Sequence, residues 1–223
     1  MCGRAYSTYT EDELYARYIN ERAKRNPLGL KPNYNMAPTH KVPVVRIVEG
    51  ERQLNLFQWQ FIPPHEPEFK TKLSTINARC ESVFQSRLYG KSILEQRCIV
   101  PISGFFEWKQ SEGGKRPFCI RLKDEPIMSV AGIWSVWRRQ GEERFSFSIL
   151  TTEANSLMAG IHNRMPVILS RAQEADWLNP EVHEETEIQP LLKPCPSEWL
   201  EAFEVSTLVN SPRNNQPEVL KPL

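Results

Sequence analysis

Residues 98–151 read CIVPISGFFEWKQSEGGKRPFCIRLKDEPIMSVAGIWSVWRRQGEERFSFSILT. Five runs rich in β-branched and aromatic residues lie here: Cys98 to Ile102, Phe105 to Lys109, Pro117 to Leu122, Ile127 to Trp137 and Arg144 to Thr151. Glu112-Gly113-Gly114 and Gln140-Gly141-Glu142 supply turns between them. Strands so close in sequence pair antiparallel, and the regular helical crossovers of a doubly wound parallel sheet are missing from the pattern. The expected fold class is α+β, a mostly antiparallel, barrel-like β-sheet core with short peripheral helices.

Working outward, Thr10 and Glu13 form a capping-box pattern ahead of Leu14, Tyr18 and Ile19, which predicts a helix ending near Asn26-Pro27. Val42 to Val48 and Leu54 to Trp59 flank Glu49-Gly50 as a hairpin. Glu81 to Gln96 has helical periodicity, with Gly90 as a break. Asn33-Tyr34-Asn35-Met36-Ala37-Pro38 reads as a turn with an exposed aromatic. A short helix follows Thr151-Thr152, Ser170 and Gln173 start another through Trp177, and Pro196-Ser197 start one containing Trp199 and Leu200. The last dozen residues, with Pro212, Pro217 and Pro222, are expected to be extended. No linker, repeat or low-complexity tract divides the 223 residues, so one domain over 1–223 is expected.

Hydrophobic residues make up 40% and charged residues 25%, the composition of a soluble globular protein. No apolar run approaches the roughly 20 residues needed to cross a bilayer, and the start lacks a signal-peptide pattern. A cytoplasmic location is expected, nucleoid-associated in a bacterium, with no membrane partner. The five cysteines, Cys2, Cys80, Cys98, Cys119 and Cys195, lack the close paired spacing of zinc or redox sites, so neither a metal nor a cofactor is expected. A net charge of +1 argues against coating duplex DNA by bulk electrostatics and leaves any nucleic-acid site to a local cluster of cations.

Cys2 is the sharpest chemical feature. Removal of Met1 would place a free α-amine and a thiol on adjacent carbons, a pair no internal cysteine offers. The amine can capture an aldehyde as an imine, and the thiol can then close a five-membered thiazolidine ring. A terminal amine titrates at about 8 and a free thiol at about 8.5, so both nucleophilic forms exist near neutral pH. Position alone leaves an incidental second residue as the alternative.

Four short motifs supply polar groups. In Ser74-Thr75-Ile76-Asn77-Ala78-Arg79, Asn77 and Arg79 share one face if the segment is extended. Asn77 could then orient an amine and Arg79 hold a phosphate, or the pair could form an ordinary surface turn. In Gly104-Phe105-Phe106-Glu107-Trp108, alternation puts Phe105 and Glu107 on one face. A desolvated Glu107 suits proton shuttling; a solvent-facing one has no such role. In Gly160-Ile161-His162-Asn163-Arg164-Met165-Pro166, His162 could pass protons or simply make a structural hydrogen bond, and Arg164 is a second candidate phosphate clamp. The Tyr34 segment is the fourth, and by itself reads as structural.

In this order, Met1-Cys2-Gly3-Arg4, Tyr34 to Pro38, Ile76 to Glu81, Arg97 to Trp108, Ala131-Gly132-Ile133-Trp134, Leu150-Thr151-Thr152 through Pro166, Val205-Ser206 and Val209-Asn210 resemble the SRAP (SOS response-associated peptidase) family, from residue 1 to about 218. The resemblance implies a mostly β, barrel-centred fold and a DNA-damage enzyme that traps abasic sites in single-stranded DNA as a thiazolidine cross-link. It implies Cys2 as nucleophile, Asn77 as the group positioning the N-terminus, Glu107 as acid/base, and His162 as an aid to ring opening and reversal. Arg4, Arg79 and Arg164 would bind the flanking phosphates, with Trp59, Phe105 and Thr151 as further DNA contacts. One departure stands out. The family usually has Trp-Gly-Leu, a hydrophobic residue and Pro, then an aromatic, where this chain has Trp59-Gln60-Phe61-Ile62-Pro63-Pro64-His65. The missing glycine and His65 bear on the fit to DNA beside the lesion. Two other readings remain: a thiol peptidase with an N-terminal nucleophile, which would need an oxyanion hole, and a non-covalent single-strand binding module.

Overall fold

The computed structural model describes residues 2–20 and 25–223. Strand β1 (Ala5–Ser7) leads to helix α1 (Glu11–Tyr18). The Thr10 hydroxyl accepts the Glu13 N–H at 3.2 Å while the Glu13 carboxylate accepts the Thr10 N–H at 2.6 Å, so the capping box forms as expected. The helix ends at Tyr18, not near Asn26-Pro27, because Ile19 turns extended at φ −109° and ψ 141°. The Tyr15 hydroxyl holds the returning chain through both the N–H and the carbonyl of Asn26, each at 2.9 Å. Residues 21–24, which the predicted helix spanned, lie outside the described residues.

Next come β2 (Asn33–Met36), β3 (Lys41–Val48), β4 (Glu51–Trp59) and β5 (Asn77–Arg79). The β3–β4 hairpin turns at Glu49-Gly50, both at positive φ, as the sequence indicates. Asn33 to Met36 is a strand and not a turn, with Asn35 fully buried and Tyr34 half-buried. Helix α2 (Gly90–Glu95) is a second correction, since the predicted helix from Glu81 is a series of turns until Gly90 starts it. A Cβ at Gly90 would lie 2.7 Å from the Phe84 carbonyl oxygen, so glycine there serves the close approach of the preceding turn.

Strands β6 (Arg97–Ile102), β7 (Gly104–Ser111), β8 (Gly114–Leu122), β9 (Met128–Arg139) and β10 (Glu142–Glu153) match the five expected runs. They are followed by α3 (Ser156–Ala159), β11 (Arg164–Pro166), β12 (Ile168–Leu169), α4 (Arg171–Leu178), α5 (Glu185–Ile188) and β13 (Leu200–Glu204). Ser170 and Gln173 cap α4 reciprocally, as predicted. Trp199 ends a 3-10 turn while Leu200 already belongs to β13, and the tail is not plainly extended: Pro217–Leu220 forms a 3-10 turn.

Five strands close on themselves in the order β3, β4, β10, β9, β6 and back to β3. The barrel predicted from the alternating runs is therefore present. Its β4–β10 seam is parallel, with Phe147 opposite Trp59, whereas the other four seams are antiparallel. Inside the ring Val44, Phe57, Trp59, Val100, Val130, Phe147 and Ile149 pack together. Helices α1 and α4 cover part of the outside, where Leu14, Tyr18 and Trp177 meet Ile99, Ala131 and Ile133. Arg17 grips the buried Glu174 carboxylate at 3.1 and 2.5 Å, and the Ser129 hydroxyl donates to it at 2.7 Å, which ties both helices to β9.

A second sheet runs β13-β8-β7-β1-β2. The N-terminal strand β1 thus lies inside a sheet, with Ala5 opposite both Phe105 and Met36. Its crossing over β7 leaves no room at Gly104, where a Cβ would stand 2.5 Å from the Ile120 carbonyl and 2.6 Å from the Tyr6 ring. Gly104→Ala is therefore expected to lower stability by about 1–3 kcal/mol, the usual cost of overpacking a well-filled interior. An unchanged urea midpoint would contradict this packing.

Candidate active site

Cys2 lies just before β1 and is completely buried, packed in the same cluster as Ala5, Met36, Phe105 and Ile120. The Arg4 carbonyl accepts the Phe106 N–H at 2.9 Å, so the backbone after Cys2 is already engaged by β7. Asn77, on β5, donates from its amide to the Cys2 carbonyl at 2.9 Å. Strand β5 is held parallel to β10, with Asn77 opposite Ile149, so the barrel itself presents this amide to the N-terminal segment. The buried Oδ1 of Asn77 has no hydrogen-bond partner among the described residues. Met1, whose loss would expose the α-amine, lies outside the described residues.

Glu107 is buried at 3% exposure on β7, on the same strand face as Phe105. Burial pushes the Cys2 thiol far above its ordinary range, and the nearby Glu107 carboxylate pushes it further by charge repulsion. This alters the sequence-based expectation of a thiol that needs little tuning: in its surroundings here the neutral form is strongly favoured. The Arg164 N–H donates to His162 Nδ1 at 3.0 Å, which holds the ring against the backbone of β11. Glu107 and His162 both line a cavity of about 460 Å³, together with Trp108, Lys115 and Asn210. Two groups separated by 54 residues in sequence therefore face one space.

Of the three arginines expected to meet phosphate, each has a different setting. Arg79 is exposed and has no ion-pair partner among the described residues. Arg164 is held by the Glu81 carboxylate at 2.5 and 2.9 Å and by the Thr151 carbonyl at 2.5 Å, with 13% of its side chain exposed. Arg4 is half-buried and donates to Asn35 Oδ1 at 2.9 Å and to the Val209 carbonyl at 2.7 Å. Three residues expected to touch DNA are interior ones in this structure. Trp59, at 1% exposure, spends its indole N–H on the Ile76 carbonyl, and Phe105 and Thr151 are fully buried. Their bulk and β-propensity serve the core. Gln60 does not have positive φ, so its backbone makes no demand for glycine, while His65 is exposed.

The model of the family described as SOS response associated peptidase (SRAP) matches residues 1–212. The chain belongs to the SRAP family. It is 35% identical to the abasic site processing protein YoqW of Bacillus subtilis, over 99% of both chains. It is 27% identical to the abasic site processing protein YedK of Escherichia coli, over 100% of both. A crystal structure of a protein from Bacteroides thetaiotaomicron superposes with a TM-score of 0.87 at 31% identity, covering 100% of each chain. In this SRAP chain sequence reasoning gave no role to Asn35, Lys115, Asn210 or Glu81. Asn210 and Glu81 lie inside motifs that carry the resemblance, which was the available signal. Lys115 follows a Gly-Gly turn and had none.

Because the Glu107 charge helps hold the Cys2 thiol protonated, Glu107→Gln is expected to lower the thiol pKa and raise its thiolate fraction at a given pH. Alkylation by iodoacetamide at pH 8 should therefore be faster in the variant than in the parent protein. Equal rates would remove Glu107 from the thiol's electrostatic environment.

Proposed function

We propose that this chain processes abasic sites in single-stranded DNA by bonding to them through Cys2 after loss of Met1. The observation that carries the reading is the convergence of Cys2, the Asn77 amide and Glu107, with Glu107 and His162 on one cavity. The abasic-site names of its relatives support the substrate.

An abasic deoxyribose in its open form presents an aldehyde. The Cys2 amine attacks that carbon, and loss of water gives an imine. The thiol sulfur then adds to the same carbon while its proton passes to the nitrogen, closing a thiazolidine with no change of oxidation state. The unpartnered Asn77 Oδ1 supplies an acceptor suited to an N–H of the freed amine, and its own N–H already fixes the Cys2 carbonyl. Glu107 can protonate the departing hydroxyl and take the thiol proton. His162, its ring oriented by the Arg164 N–H, can donate a proton to the sugar oxygen as the ring opens. A neutral thiol suits this order of events, since the amine acts first and sulfur is engaged only after the imine forms. Proton transfers are sufficient, so the scheme calls for no cofactor. Arg79 and Arg4 offer charge-assisted contacts to the strand without reading bases.

The processed protein, mixed with abasic single-stranded DNA, is expected to give a complex that survives denaturing electrophoresis. Cys2→Ala should abolish it while keeping non-covalent binding, and Asn77→Ala should slow its formation at least tenfold without loss of fold. A complex undiminished in Cys2→Ala would sink the mechanism. Cleavage of an unrelated peptide that depends on Cys2 would favour the thiol peptidase instead, and equal binding by both proteins with no cross-link would favour a binding module.

A further inference from the structure

The cations of the two sheets are not equivalent. On β8, Arg116 is engaged by Glu204 and Arg121 by Glu201, both across the pairing with β13. Arg164 on the barrel side is engaged by Glu81. Lys115 lines the cavity with Glu107 and His162, is exposed, and has no ion-pair partner among the described residues. Its place is set by the β7–β8 pairing, where Lys115 stands opposite Gln110 and Pro117 opposite Trp108. The Trp108 indole beside it is fixed by donating to Asn210 Oδ1 at 2.7 Å. Asn210 is in turn held from below: the buried Asn35 amide donates to the carbonyls of Val209, Ser211 and Asn214 at 3.2, 2.9 and 2.9 Å, and Arg4 donates to Val209. The wall that carries Lys115 is thus rigid although the ammonium itself is mobile and solvated.

Arg79 on β5 and Lys115 on β8 are both exposed and in no ion pair among the described residues, and of the lysines and arginines Lys115 is the one that lines the cavity with Glu107 and His162. A strand with its lesion at Cys2 runs past both sheets and carries a phosphate on each side of the lesion. We propose that Lys115 is a phosphate-contact residue for the backbone on the second-sheet side of the cavity, in addition to any contact that Arg79 makes from β5. This rests on the reading of the substrate as abasic single-stranded DNA. Lysine suits the task because a compact ammonium on a flexible stem follows a phosphate whose position varies with the bound sequence.

The test measures Kd across a sodium chloride series for a short single strand carrying a tetrahydrofuran abasic analogue, which has no aldehyde and cannot cross-link. Lys115→Ala is expected to weaken binding several-fold at low salt and to reduce the slope of log K against log salt by about 0.7, the value of one single-strand phosphate contact. Lys115→Arg should restore the slope. Arg116→Ala, one residue away and already engaged by Glu204, should leave it unchanged. An unchanged slope in Lys115→Ala, or equal losses in the Lys115 and Arg116 variants, would overturn the assignment. Failure of the unmodified protein to cross-link to true abasic DNA would sink the covalent reading separately, because the analogue measurement does not depend on the aldehyde.

Discussion

The pairing of β1 between β7 and β2 is the constraint on which the site depends. Chain termini ordinarily fray, because nothing repays the entropy of ordering them. Here three residues, Ala5 to Ser7, form the inner strand of a sheet, and the segment just before them is bonded through the Arg4 carbonyl and the Cys2 carbonyl. Each such hydrogen bond contributes about 1 kcal/mol net. Acting together they fix residue 2 with the precision usually found at the middle of a chain.

That placement has an electrostatic consequence. Drawing Cys2 into an apolar cluster against the Glu107 carboxylate suppresses thiolate and leaves a neutral thiol. A buried, protonated thiol is protected from oxidation and from adventitious electrophiles. Cations are divided in a similar way. Glu81, Glu201 and Glu204 engage Arg164, Arg121 and Arg116, whereas Arg79 and Lys115 are exposed and in no ion pair among the described residues.

Much of the architecture was legible in local chemistry. The capping boxes at Thr10 and Ser170, the Glu49-Gly50 turn and the five strands from Arg97 to Glu153 follow from short-range patterns, and the structure has all of them. The ordered motifs were likewise enough to reach the family, and they named the groups that surround Cys2. Local patterns failed where one residue serves a distant contact. Gly90 reads as a helix breaker but accommodates the Phe84 carbonyl, and Asn35 reads as a turn residue but is a buried donor to three carbonyls of the C-terminal segment.

By itself, the sequence determined which candidate groups the chain offers: a thiol at Cys2, an amide at Asn77, a carboxylate at Glu107 and an imidazole at His162. It also determined that alternating strands would build a barrel. Tertiary structure alone decided which of these groups meet, through the parallel β5–β10 pairing and the insertion of β1 beside β7. It decided too that Trp59, Phe105 and Thr151 are buried in the core, and that Lys115 shares a cavity with Glu107. The reason is physical. Propensity and alternation act over a few residues, whereas burial and pairing across a closed sheet depend on partners that are far away in the chain.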